Sequence, residues 1–132
     1  VYAYEDEADI LKDPEKNVSQ WFGKGYGFEA DVYLQDKQTL TMAGVDFEVI
    51  HTPGHTKGGC CFYVREDLTL FCGDTIFNCS VGRTDLYSGS MRALGDSIRE
   101  RIMTLPDDVK LYSGHGDATT VGYERKYNPC LG

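Results

Sequence analysis

Between residues 31 and 71 the chain breaks into short β-favouring runs separated by turn residues. The runs are Val32–Leu34, Thr39–Met42, 45–50, Cys60–Val64 and 68–71. Asp36-Lys37, Ala43-Gly44, Pro53-Gly54 and 65–67 punctuate them. Close spacing and short turns predict antiparallel pairing. Residues 91–105 carry a different period. Leu94, Ile98, Ile102 and Leu105 form one apolar stripe, and the charged residues lie largely elsewhere, which predicts an amphipathic helix. Ser90 suits its N-cap and Pro106 its end. A further strand is expected at 109–112 and a final helix at 119–126, before Asn128-Pro129.

A short acidic helix opens the chain at 5–12 and stops at Asp13-Pro14. Residues 21–28 set three glycines among aromatics and predict a loop. No strand precedes those glycines and no clear helix follows them, so they do not read as a phosphate cradle. The order of elements predicts an α+β fold, one mostly antiparallel sheet with helices on one face. Residues 60–64 and 68–71 are apolar at nearly every position, so both faces of the sheet call for cover.

Composition narrows the function. The 132 residues suit one compact domain or a large piece of one. A net charge of −8 argues against a nucleic-acid partner, which needs clustered Lys and Arg. No apolar run is long enough to span a bilayer, and no signal peptide is recognisable. The chain begins at Val1 rather than Met, which is expected if a leader was removed or a longer protein precedes it. Glu5, Asp6, Glu7 and Asp9 are expected to form a solvated helix face. The five cysteines are odd in number and show no C-x-x-C spacing, so neither a disulfide framework nor a zinc ribbon is expected. Cys60, Cys61 and Cys72 read as small buried hydrophobes in a protein of the reducing cytoplasm.

The chemistry gathers at strand ends. His55 lies in Thr52-Pro53-Gly54-His55-Thr56, Asp74 in Cys72-Gly73-Asp74-Thr75, and His115 in Ser113-Gly114-His115-Gly116. Each follows a strand through a glycine-bearing turn. Imidazole and carboxylate are ligands for zinc, iron or manganese. Taken singly, each has an equally ordinary reading as a turn or capping residue. His51, two residues before a proline, reads as structural.

These segments resemble the signature motifs of the metallo-β-lactamase superfamily. Residues 52–59 are similar to its TPGHTxG motif and residues 71–77 to its GDTLF segment. Residues 82–86, Gly-Arg-Thr-Asp-Leu, resemble a glyoxalase II-like branch, and residues 113–116 the closing GHG. The resemblance covers essentially the whole chain. It implies a metal-dependent hydrolase, with thioesters or esters of small molecules as the leading substrates. In it His55 completes a first metal site, Asp74 bridges two zinc ions and His115 completes a second site, with iron or manganese as variants. Arg83 and Asp85 would order the loop beside the ligands. The family's HxHxDH motif has no counterpart here, because no histidine precedes His51. Residues 1–132 therefore read as the C-terminal half of one αβ/βα sandwich, inactive alone. Its expected partner is the missing N-terminal half or a second copy in a homo-oligomer. Two alternatives stay open: a mononuclear iron enzyme like the persulfide dioxygenases, and a non-catalytic half-fold that associates through its sheet.

Overall fold

The computed structural model describes residues 1–131. The main sheet has six strands: β3 (Thr39–Met42), β4 (Val45–His51), β5 (Cys60–Val64), β6 (Thr69–Gly73), β9 (Lys110–Ser113) and β10 (Thr119–Thr120). Their spatial order is β10-β9-β6-β5-β4-β3. β3 to β6 form an antiparallel meander, as the short turns predict. β9 then returns parallel to β6. A parallel return needs a long crossover, and helix α2 (Met91–Ser97) with its continuation Ile98–Ile102 supplies it. Strands β4, β6 and β9 therefore all run the same way, and their C-terminal ends share one edge of the sheet.

One face of the sheet is a closed core. Ile50, Cys61, Tyr63, Leu70, Cys72 and Leu111 point to it, and Leu94 of α2, Ile98 and Ile102 of its continuation and Val121 of helix α3 (Val121–Tyr127) cover it. Ser90 caps α2 by accepting the Ala93 N–H. Gly54 is required here for close approach: a Cβ on it would lie 2.3 Å from the Leu94 Cα.

The opposite face is only partly covered. Strand β1 (Tyr2–Tyr4) and strand β2 (Val32–Leu34) form a parallel pair outside the main sheet, and Tyr4 and Leu34 pack on Val49. Beyond them, Phe71 is 43% and Tyr112 40% exposed. Their rings stack at 5.8 Å, and Phe47 lies 6.4 Å from Phe71. Tyr2, Leu40, Met42, Phe47, Phe62 and Phe71 line an apolar groove of about 430 Å³ on this face. The run of apolar residues in β5 and β6 thus reflects one filled face and one open apolar face.

Several expectations need correction. Val32–Leu34 pairs parallel with β1 rather than joining the meander. The helix expected at 91–105 widens into a π-helical turn over Ile98–Ile102, where the Met103 N–H reaches back to the Ile98 carbonyl at 2.8 Å. Leu94, Ile98 and Ile102 are spaced by four, which outruns 3.6 residues per turn, and a wider turn keeps the stripe aligned. Thr119 and Thr120 are extended and pair with β9. Thr120 caps α3 through Tyr123 N–H, a role that suits Thr better than a helix interior. The opening segment forms a 3₁₀ turn, Glu5–Glu7, then α1 (Ala8–Lys12). Its acids are not merely solvated. Glu7 accepts a hydrogen bond from Thr56, and Asp9 pairs with Lys16 at 3.2 Å and Lys57 at 2.8 Å. They clamp α1 to the loop that carries His55.

Candidate metal centre

The shared edge of β4, β6 and β9 brings His55, Asp74 and His115 together. His55 follows β4, Asp74 follows β6 directly, and His115 follows β9. The Gly114 N–H donates to the Gly73 carbonyl at 2.7 Å and locks the last two ends side by side. Asp74 sits between the imidazoles. His55 Nε2 is 3.5 Å from Asp74 Oδ2, and His115 Nδ1 is 3.4 Å from Asp74 Oδ1. The arrangement is two half-sets of donors sharing one carboxylate. Among the described residues, no three His, Cys, Asp or Glu side chains are grouped tightly enough to hold a metal ion unaided.

Backbone packing makes this convergence possible. A Cβ at Gly82 would fall 1.8 Å from the Asp74 carbonyl oxygen, and one at Gly114 would fall 2.8 Å from Asp74 Oδ1. Gly73 adopts φ +52°, the left-handed turn that swings Asp74 off the strand. His55 is oriented from behind: its Nδ1 donates to the Arg83 carbonyl at 2.8 Å, which leaves Nε2 with a free lone pair facing Asp74. Arg83 therefore acts on His55 through its main chain. Its guanidinium forms a two-point ion pair with Asp85 at 2.7 and 2.9 Å. That pair raises the Arg83 pKa and lowers that of Asp85.

His51 stands apart, as its sequence context suggested. Its ring stacks on Tyr4 at 4.2 Å and its Nε2 meets the Lys57 carbonyl at 2.8 Å. The cysteines do not join the site either. Burial pushes the Cys60 thiol up to about 12 and Cys61 to about 11, and raises Cys72 as well. Thiols held protonated in this way are poor metal ligands.

Sequence reasoning missed the wall of the cleft. Strands β7 (Ile76–Phe77) and β8 (Ser80–Val81) form a small hairpin, and Phe77, Ser80 and Val81 join His55, Asp74, Arg83 and His115 around an open cleft of about 340 Å³. Two-residue strands carry no readable period. The available signal was the phenylalanine at the end of the Gly-Asp-Thr-Ile-Phe segment, whose ring packs 4.5 Å from the His115 ring.

Comparison with known proteins gives the family. The family model of the metallo-β-lactamase superfamily matches residues 1–115. The solved structure of the B3 metallo-β-lactamase BLEG-1 superposes with a TM-score of 0.91 at 39% identity, covering 99% of this chain and 64% of that one. TTHA1623, solved in a di-iron-bound form, gives 0.81 at 31% identity over 98% of this chain and 63% of that one. Hydroxyacylglutathione hydrolase GloC of Haemophilus influenzae is 40% identical over 75% of this chain and 47% of its own. The chain belongs to the metallo-β-lactamase superfamily and has its mixed α+β fold. It spans about half the length of the curated relatives it matches. Among the described residues, no helix is long and apolar enough to cross a membrane.

Proposed function

We propose that residues 1–132 form the C-terminal part of a metallo-hydrolase domain, and that its intact form cleaves thioester or ester substrates at a two-metal centre. The observation that carries this reading is the sharing of Asp74 between His55 and His115. Two ligands held about 2.0–2.1 Å from one tetrahedral zinc ion lie about 3.3–3.4 Å apart. The His55–Asp74 and His115–Asp74 separations of 3.5 and 3.4 Å suit such pairs. They are longer than good hydrogen bonds between the same groups. The nitrogen and oxygen donors suit zinc and also iron or manganese. One His on each oxygen of Asp74 favours a bridging carboxylate, and hence two ions, over a mononuclear iron centre. Support for a thioester comes from the named activity of the H. influenzae relative.

When bound, such metals lower the pKa of a water molecule and polarise the carbonyl under attack. The chain's own residues prepare that chemistry. The Arg83 carbonyl fixes the His55 tautomer, Asp74 spans the two half-sets, and the Arg83–Asp85 pair stiffens the loop. The remaining ligands are assigned to a segment preceding Val1. The same segment is the proposed cover for the open apolar face around Phe71.

The test compares the 132-residue chain with the full-length protein, measuring metal content and hydrolysis of a glutathione thioester. The expected outcome is two metal ions and turnover in the full-length protein, with weak metal binding and no turnover in the isolated chain. Equal metal-dependent turnover by the two would refute the need for the upstream segment. Oxygen uptake with a persulfide, and no hydrolysis, would refute the hydrolytic assignment.

A further inference from the structure

The β7–β8 hairpin has little in its own sequence to hold it against the cleft. Each strand contributes two residues, and an isolated short hairpin is marginal in water. Its turn is Asn78-Cys79. Cys79 has φ +58°, while Asn78 is not among the residues with positive φ. The turn therefore has neither of the two shapes that match strand twist, and it places a non-glycine residue in the left-handed region. Something outside the hairpin must hold it.

A buried carboxylate does so. Glu124 of α3 is fully buried. Its Oε1 accepts the Cys79 N–H at 2.7 Å and Asn128 Nδ2 at 3.0 Å, and its Oε2 accepts the Thr119 hydroxyl at 2.5 Å. Asn128, also buried, donates from Nδ2 to the Ser80 carbonyl at 3.1 Å. α3 and its C-cap thus grip the turn by a main-chain N–H and by the next carbonyl. No buried side-chain N or O among the described residues lacks a partner, so the network is closed. Burying a carboxylate is a costly way to fill space, but directed acceptors can impose a turn geometry that packing alone does not. At the other end of the hairpin, the Phe77 ring lies 4.5 Å from His115 at a tilt of 36°. The His115 side chain is 74% exposed, so this ring is a major part of what orients it.

We propose that Glu124 and Asn128 are positioning residues of the metal centre, holding the Cys79 turn so that Phe77 sets the orientation of the His115 imidazole. The proposal rests on the reading of His115 as a metal ligand. Its two halves are separable in the full-length protein with Glu124→Ala, Glu124→Gln and Asn128→Ala. The first readout is the alkylation rate of Cys79 in metal-free protein, resolved from Cys130 by peptide mass spectrometry. Release of the turn in Glu124→Ala is expected to speed it about fivefold or more. Glu124→Gln should stay within about twofold of wild type, because the amide oxygen still accepts the Cys79 N–H and the amide nitrogen can donate to the Thr119 hydroxyl.

The second readout is zinc affinity by competition with a chromophoric chelator. A loss of about 10–100-fold is expected for Glu124→Ala, the usual scale when support behind a ligand is removed, with recovery in Glu124→Gln. Unchanged alkylation in folded Glu124→Ala overturns the anchor. Faster alkylation with unchanged zinc affinity overturns the positioning role. Should Glu124→Ala fail to fold, Asn128→Ala leaves the Cys79 bond in place, frees Ser80 and answers to the same two readouts. A wild-type protein that binds no zinc overturns the metal reading and the positioning role together, while the alkylation rates still decide whether the turn is anchored.

Discussion

Gly82→Ala tests the backbone packing behind His55 without replacing the side chain of a proposed ligand. The added Cβ would fall 1.8 Å from the Asp74 carbonyl oxygen, where real Cβ atoms do not approach within 3.0 Å. That oxygen belongs to the chain just past β6, so the 82–85 loop is the part that must yield. A retreat of about 1.2 Å removes the overlap. Carried to Arg83, the same retreat lengthens the His55 Nδ1–carbonyl bond from 2.8 Å to about 4 Å, beyond hydrogen-bond reach. The lost bond and the strained packing should together lower stability by about 1–3 kcal/mol. Loss of orientation at His55 should weaken metal retention about 10–100-fold. Urea unfolding and chelator competition on the full-length protein measure the two effects. Unchanged metal affinity in a variant destabilised as expected would show that the Arg83 carbonyl does not orient His55. Unchanged stability would refute the steric argument itself.

Two further outcomes follow from other parts of the fold. Lys57 first, and then Lys16, hold the Asp9 carboxyl down at about 2. A folded pKa below the ordinary 3.8 gives stability that is full above pH 3.8 and lost as pH falls through about 2. Asp9 is 39% exposed, so screening limits the effect to below about 1 kcal/mol. Asp9→Asn should flatten the acid limb of the stability curve between those values, and an unaltered slope would count against the clamp. On the open face, Phe71→Lys places a charge in the wall of the apolar groove. The isolated chain should associate through that face, and the substitution should shift it toward monomer in sedimentation velocity. A wild-type chain that stays monomeric at high concentration would refute association.

What the sequence revealed, and what it hid, follows from how far each feature's cause extends along the chain. The strands from β3 to β6 were legible because alternation and turn residues act within a few positions. The α2 stripe was legible for the same reason. The ligand candidates could be read because each sits in a glycine turn of unusual composition. The sharing of Asp74 came only from the family resemblance, since it depends on β9 returning parallel to β6 through a crossover that no local signal specifies. The β1–β2 pairing joins residues about thirty positions apart. The acids of the opening segment looked solvated because Lys57 and Thr56 are remote in sequence. The network of Glu124 was hidden similarly: its partner Cys79 lies 45 residues away, and a glutamate in a short polar helix reads as a surface residue.

On the proposed reading, the open face and the incomplete donor set have one cause. The edge that presents His55, Asp74 and His115 bounds a sheet whose second face, around Phe47, Phe71 and Tyr112, still awaits cover. A segment laid on that face and ending at the same edge would bury the aromatics and could bring the remaining ligands in the same step. Metal binding and docking of the segment would then be linked: each ion bound across the junction stabilises the assembled state by an amount that grows with the logarithm of free metal concentration. The chain's own architecture fits such a division. Its candidate ligands sit on strand ends, backed by the Arg83 carbonyl and the Gly73–Gly114 bond. A metal held across the junction would then fasten the other half to this one.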